Sequence, residues 1–71
     1  MTYAEQQVVI SIRKNKLRVT GLVPGDIVAI YTVGGMLVDK VRVTETVYER
    51  ELNDGIFIVR AAHATKKVLS R

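Results

Sequence analysis

The feature that most constrains this 71-residue chain is hydrophobic alternation with a period of two, in short segments separated by turn-forming residues. Apolar side chains recur at every second position in Val8–Ile12 and in Lys16–Thr20, and Val47–Leu52 alternates with Tyr48, Arg50 and Leu52 on one face. This period is typical of strands that bury one face, and we find no window with the 3.6-residue period of a helix. The spacing of the segments predicts about seven short antiparallel strands in a β-sandwich or a small barrel.

Turn-forming residues separate these segments. Lys14-Asn15 predicts a tight hairpin, with Asn15 in the left-handed conformation, and Pro24 within Gly21–Asp26 predicts a crossover between strands. We expect Gly34-Gly35 to form a two-residue hairpin turn, because both glycines tolerate the positive φ of the primed turn types. A last turn is predicted at His63–Thr65, before a closing strand.

The stretch Leu52–Arg60 contains the strongest strand signal. An Asn-Asp-Gly turn leads into the apolar run Ile56–Val59. Continuous apolar character predicts a strand that is covered on both faces and central in its sheet. In this core we expect contacts among five residues: Phe57, Val59, Val28, Ile30 and Leu17.

The length of the chain allows one domain with a single core, which buries only about 60% of the surface that an unfolded chain exposes. The sequence has no cysteine, so no disulfide stabilises that core. We assign residues 8–71 to the domain and residues 1–7, which are polar and unpatterned, to a disordered or expression-derived N-terminal segment. We find no basic region followed by an apolar core and no apolar run of membrane-spanning length, so membrane insertion is not expected.

An enzymatic function has little support in the sequence. His63 is the only histidine and has no metal-ligand spacing around it, so we interpret it as a turn residue and expect neither a metal nor a cofactor. Asp26, Asp39 and Asp54 lie at or near predicted turns, where aspartate side chains bond to nearby backbone. A pair of catalytic carboxylates would need a cleft that so small a sandwich seldom provides.

The formal net charge of +4 raises the question of a nucleic-acid partner. Arg13, Lys14, Lys16 and Arg18 cluster on the first predicted hairpin and could neutralise phosphates. Alternating cations on a strand are more often a solvated face that prevents edge-to-edge aggregation. With three Tyr and one Phe scattered along the chain, a platform for base stacking is not expected. A small basic barrel that binds nucleic acid is therefore our third hypothesis.

Three blocks of the sequence, in order, resemble the C-terminal sorting domains of Bacteroidetes proteins exported by the type IX (Por) secretion system. The first block is Leu17–Leu22, followed by Pro24-Gly25, and the second is the hairpin Val28–Val38. The third is Leu52–Arg60, with the basic segment Lys66–Leu69 closing the chain. The sequence departs from the family pattern at three positions, with Thr32 for the usual Asp, Met36 for Arg or Lys, and Phe57 for Tyr.

The resemblance implies an immunoglobulin-like β-sandwich of about seven short antiparallel strands. It also implies a non-catalytic sorting signal that directs an upstream cargo domain through the periplasm and across the outer membrane to the cell surface. The implied partners are the secretion machinery and a sortase that cleaves the domain off. The alternative is an immunoglobulin-like accessory or interaction domain of a surface protein that this machinery does not recognise.

A receptor that handles many cargos must recognise a common surface, so we place recognition on the last two strands and on the two glycine turns. The closing strand also suits strand addition by a partner, since an edge strand offers unpaired backbone groups. The predicted partner-binding residues are Gly35, Leu37, Gly55, Arg60, Lys66, Lys67, Val68 and Leu69.

Overall fold

The structure is a computed structural model that describes residues 6–71. These residues form seven strands, confirming the predicted all-β class. The strands are β1 (Val9–Arg13), β2 (Lys16–Thr20), β3 (Ile27–Thr32), β4 (Leu37–Arg42), β5 (Tyr48–Glu51), β6 (Gly55–Ala61) and β7 (Ala64–Ser70). Within this part of the chain, no helix has the length and apolar character needed to cross a bilayer.

The strands form two antiparallel sheets, one of three strands in the order β1-β2-β5 and one of four in the order β4-β3-β6-β7. This distribution is that of an immunoglobulin-like sandwich, with the first, second and fifth strands in one sheet and the third, sixth and seventh in the other. The loop Gly21–Asp26 carries the chain from the first sheet to the second, as Pro24 predicts. The inner strands of the larger sheet are β3 and β6.

The core lies between the two sheets and contains the inward side chains of both. Leu17, Val19, Ile30 and Val59 have no exposed surface, and Phe57 is 8% exposed. All five residues predicted to lie together around Phe57 belong to one cluster of buried side chains, as expected. The full cluster comprises Ile10, Leu17, Val19, Leu22, Val28, Ile30, Val43, Leu52, Phe57, Val59, Ala61 and Val68.

The prediction that β6 is covered on both faces is wrong. Phe57, Val59 and Ala61 are buried, but Ile56 is 42% exposed and Ile58 is only half-buried. The strand is central in its sheet as expected, yet no layer of the described chain covers the outer side. The apolar run therefore reflects a buried inner face and an apolar outer face that is open to solvent.

Three turns differ from prediction. In the first hairpin Lys14, not Asn15, has the left-handed conformation, with φ of 57°. The β3–β4 loop spans four residues, 33–36, and only Gly35 has a positive φ there, 96°. The last turn is shorter than expected, since β7 begins at Ala64 and Ala62 has a φ of 54°. In each case the turn was predicted close to the right place, but its conformation depends on the register of the paired strands.

Side-chain hydrogen bonds join the loops at one end of the sandwich. Asn15 donates through Nδ2 to Asp54 Oδ1 at 2.7 Å and to Ser70 Oγ at 3.0 Å. Ser70 is fully buried, and its hydroxyl donates to the Leu52 carbonyl at 3.4 Å. Asn15 and Asp54, predicted as turn residues, therefore also connect the two sheets through the end of β7.

At the other end, the chain before β1 packs against the β2–β3 loop. Gln6 donates through Nε2 to the Gly21 carbonyl at 2.8 Å and to Asp26 Oδ2 at 2.7 Å. A Cβ atom on Gly21 would lie 1.8 Å from the Gln7 carbonyl oxygen, so only glycine permits this approach. Of the segment 1–7 assigned to disorder, Gln6 and Gln7 thus belong to the folded unit, and residues 1–5 lie outside the described part.

Candidate recognition surface

The outward side chains of β4, β3, β6 and β7 form a continuous surface, here called the four-strand outer face. Alternation along each strand and the register between strands place these side chains in rows across the sheet. Its members are Leu37, Lys40, Arg42, Ile27, Ala29, Tyr31, Ile56, Ile58, Arg60, Thr65, Lys67 and Leu69.

One row, the apolar row, consists of Leu37, Tyr31, Ile58 and Lys67. Tyr31 pairs with Leu37 on one side and Ile58 on the other, and Ile58 pairs with Lys67. A β-bulge at Ile30/Tyr31 sets this register, because Ile30 pairs with Asp39 but Tyr31 pairs with Leu37 and not with Val38, the next residue in regular pairing. Tyr31 and Ile58 are half-buried, whereas Leu37 is 51% exposed. The centre of the row is therefore recessed relative to Leu37.

The next pair toward the β3–β4 turn extends this apolar area. Ile56 pairs with Leu69, and these side chains are 42% and 49% exposed. Met36, in the adjoining turn, is 73% exposed. Single exposed apolar residues are ordinary, but several in adjacent positions mark a surface that binds a partner.

On the other side of the apolar row lies the basic row, which consists of Lys40, Ala29, Arg60 and Thr65. Ala29 pairs with Lys40 on β4 and with Arg60 on β6. Ala29 is 5% exposed, while both cations are exposed. Residues of β3, β4 and β6, together with Ala62 in the turn after β6, line a shallow depression of about 210 Å³: Ile27, Ala29, Tyr31, Lys40, Arg60 and Ala62.

The four-strand outer face carries charge of one sign. Lys40, Arg42, Arg60 and Lys67 project from it, and none of the carboxylates in residues 6–71 lies among its outward positions. Glu49 and Glu51 lie on the other sheet, and Asp39 lies between the sheets. The remaining carboxylates lie in loops: Asp26, Glu45 and Asp54. Without paired carboxylates, the face has a positive potential that attracts anionic groups.

The opposite surface, here called the three-strand outer face, has a different composition. Lys16 pairs with Glu51, and Arg18 pairs with Glu49, across β2 and β5. Glu49 Oε2 lies 3.8 Å from Lys16 Nζ and 3.7 Å from the Arg18 guanidinium. Two of the four cations that raised the possibility of nucleic-acid binding, Lys16 and Arg18, thus lie beside carboxylates, whereas Arg13 pairs with Lys16 across β1 and β2. This arrangement reduces the attraction for phosphates on that face.

Four of the eight predicted partner-binding residues lie together on the four-strand outer face: Leu37, Arg60, Lys67 and Leu69. Gly35 and Gly55 lie at one end of it, since the β3–β4 turn and the start of β6 are adjacent. The other two do not face outward there. Val68 is 4% exposed in the core, and Lys66 donates through Nζ to the Ile10 carbonyl of β1 at 3.0 Å.

Residues that the sequence prediction missed complete this face, namely Tyr31, Ile58, Lys40, Arg42 and Ala29. Tyr31 and Ile58 were noted only as members of predicted strands. The alternation of Lys40 and Arg42 with Val41 and Val43 does indicate that they face outward. Their position beside Arg60 depends on the pairing of β3 with both β4 and β6, which alternation alone does not specify.

Three titratable groups, Asp39, Tyr48 and Arg50, lie together between the sheets. Arg50 forms an ion pair with Asp39 between the sheets, and the Tyr48 hydroxyl donates to Asp39 Oδ2 at 3.3 Å. Burial raises the pKa of Tyr48 above its ordinary value, so this phenol stays protonated at neutral pH. Residues 6–71 contain no group of three His, Cys, Asp or Glu side chains that could hold a metal ion.

A scan against protein-family models finds no match to this chain, and searches of curated proteins and of solved structures find none either.

Proposed function

We propose that this chain is a non-catalytic sorting domain, recognised by the type IX secretion machinery through its four-strand outer face. In this proposal the domain is exported with an upstream cargo, passes through the periplasm, and is recognised at the outer membrane before a sortase removes it. The single observation that carries the proposal is the convergence of the second block, the third block and the closing segment of the family resemblance on one surface. Leu37 comes from the second block, Arg60 from the third and Leu69 from the closing segment.

The turn at one end of this face supports the proposal despite its departure from the family pattern. Thr32 stands where the family usually has Asp, a residue that accepts hydrogen bonds from nearby backbone. In this turn Thr32 Oγ1 accepts a hydrogen bond from the Met36 N–H at 3.0 Å, and the Thr32 carbonyl accepts one from the Gly35 N–H at 2.9 Å. Threonine thus fills the same structural role, and the exposed Met36 alters the surface without affecting the core.

The test is a fusion of residues 6–71 behind a signal peptide and a fluorescent reporter, expressed in a type IX-competent Bacteroidetes host. We expect the reporter on the cell surface, and we expect it in the periplasm of a matched strain that lacks the secretion channel. A known sorting domain in the same fusion is the positive control. A periplasmic reporter together with an exported control would contradict the proposal and favour an immunoglobulin-like accessory domain.

Removal of the closing strand is a poor test of the signal. β7 pairs with β6 over seven residue pairs and contributes Val68 to the core, so its deletion disrupts folding as well as any signal. A double substitution of Lys67 and Leu69 by Ser avoids this problem, because both side chains face outward. We expect this variant to fold and to leave the reporter in the periplasm.

A further inference from the structure

We infer that the four-strand outer face docks a partner protein whose surface carries carboxylates beside apolar side chains, and that one carboxylate is held between Lys40 and Arg60. This inference names the chemistry of the partner and rests on the proposed function only in taking the same face as the recognition surface. It is tested with the purified chain, without secretion.

The carboxylate position follows from the geometry of the basic row. Lys40 on β4 and Arg60 on β6 each pair with Ala29 on β3, the strand between them. The backbones of the two cations are therefore separated by two strand spacings, roughly 10 Å. The small Ala29 side chain forms the floor of the depression between them. Both side chains are long enough to reach an anion above Ala29, and a carboxylate can accept hydrogen bonds from an ammonium and a guanidinium together.

The apolar part of the partner follows from the adjacent row. Tyr31 and Ile58 are half-buried beside the more exposed Leu37, so the row offers apolar surface that apolar side chains of a partner can cover. An interface commonly has such an apolar centre with polar groups at its rim. Arg42 lies beyond the basic row, paired with Ile27, and Lys67 ends the apolar row on β7, so further carboxylates of the partner would meet these cations at the edges of the contact.

Charge excludes a second copy of the same face as the occupant. A face-to-face dimer would bring Lys40, Arg42, Arg60 and Lys67 of one copy against the same four cations of the other. Like charges placed together at an interface are strongly unfavourable.

Two other classes of partner fit less well. A nucleic acid would use the cations but not the apolar row, and among residues 6–71 Tyr31 is the one aromatic residue on the face for base stacking. A bilayer would need apolar side chains that project beyond the cations into the lipid. At the centre of this face, Tyr31 and Ile58 are instead recessed while Lys40 and Arg60 are exposed.

The probe is a synthetic peptide with a block of glutamates followed by a block of leucine, valine and phenylalanine. The matched probe has lysine in place of every glutamate. Fluorescence anisotropy gives the affinity of each probe for the full chain, and amide chemical shifts in NMR spectra locate the contact. We expect the acidic probe alone to bind, with shifts confined to β3, β4, β6 and β7.

The double variant Lys40→Ser with Arg60→Ser should weaken binding of the acidic probe by about tenfold or more, the loss of two charge-assisted contacts. The matched control, Lys16→Ser with Arg18→Ser on the three-strand outer face, should leave the affinity unchanged. Equal losses in both variants would overturn the inference, because the attraction would then follow net charge alone. NMR spectra of the variants establish that both remain folded.

Other results would also overturn it. These are no binding of the acidic probe at millimolar concentration, or stronger binding of the chain to single-stranded DNA or to vesicles of phosphatidylcholine and phosphatidylglycerol. Export of the fusion is measured separately. Probe binding without export would refute the proposed function and support the inference. Export without probe binding would support the proposed function and refute the inference.

Discussion

The two outer faces of this sandwich are made from strands with the same alternation, yet their outward positions differ in chemistry. On the three-strand outer face, Lys16 and Arg18 lie opposite Glu51 and Glu49, so these two cations have carboxylates beside them, while Arg13 pairs with Lys16. On the four-strand outer face, cations lie beside half-exposed apolar side chains, and carboxylates are absent from the outward positions of the described strands. The first composition favours solvation, whereas the second favours contact with a partner.

The difference teaches that strand alternation identifies the core but does not identify function. Each strand buries one face, and the residues on the other face are free to vary. Half-exposed apolar residues such as Leu69, which is 49% exposed, add less to the stability of the domain than core residues, because only part of their surface leaves water on folding. Their presence in adjacent positions on a single sheet is therefore better explained by binding than by folding.

The largest expected loss of stability comes from a substitution on the buried side of β6, and it is compared with a substitution on the exposed side. Phe57→Ala should destabilise the domain by about 3–5 kcal/mol, because it leaves a cavity in the core. A small single core supplies only about 3–5 kcal/mol in total, so this variant should be largely unfolded. Urea denaturation followed by circular dichroism measures the change.

The matched substitution is Ile56→Ala, one position away on the same strand and 42% exposed. We expect a loss of less than about 1 kcal/mol, since only part of the side chain leaves water on folding. A loss as large as that of Phe57→Ala would show that the outer apolar residues are part of the stabilising core, and the contrast between the faces would fail.

A smaller effect is expected from charge reversal on the three-strand outer face. Glu49→Lys places a third cation beside Lys16 and Arg18, and the lost pairing and new repulsion should cost up to about 1 kcal/mol. The cost should fall as salt is added, because exposed charges are screened. Thermal unfolding at low and high salt measures it, with Glu45→Lys, in an exposed loop, as the control.

The smallest effect concerns Asp26, in the loop that joins the sheets. Hydrogen bonds from the Val23 N–H and the Gln6 side chain hold the pKa of Asp26 below its ordinary value of 3.8. A carboxyl whose pKa is lowered by folding stabilises the folded state above its unfolded pKa, and that contribution is lost as pH falls through the lowered value.

Asp26→Asn should therefore be less stable than the parent chain at pH 7, and the difference should shrink once the pH falls below 3.8. The urea midpoints of the parent chain and the variant, at pH 7 and at a pH below 3.8, measure this difference. If the difference between the two chains is the same at both pH values, the ionised carboxylate contributes nothing to stability.

Much of the fold could be predicted from the sequence because burial repeats with a period of two. The inward positions of β1, β2 and β5 follow directly from that period, and so does the crossover at Pro24. Coverage of β6 could not be predicted, because Ile56 and Ile58 have the same apolar character whether a layer covers them or solvent does. The left-handed Lys14 was also missed, since strand register decides which turn residue takes that conformation.

The candidate surface was predictable in part. Leu37, Arg60, Lys67 and Leu69 were identified by family resemblance, but Val68 and Lys66 were included because the closing segment was treated as a whole. The alternation of that segment does place Lys67 and Leu69 on one face and Lys66 and Val68 on the other, but the prediction of binding residues did not use it. The contribution of Tyr31 and Lys40 required the pairing of β3 with both of its neighbours, which is a property of the folded chain.

The central claim is that recognition lies on the four-strand outer face alone, and export of matched reporter fusions tests it most directly. One fusion carries Leu37→Ser with Leu69→Ser, the other Lys16→Ser with Arg18→Ser, and circular dichroism first establishes that both domains fold. We predict that the first stays in the periplasm and that the second reaches the cell surface as the parent fusion does. Export of the first fusion with retention of the second would contradict the claim, and so would equal export of both.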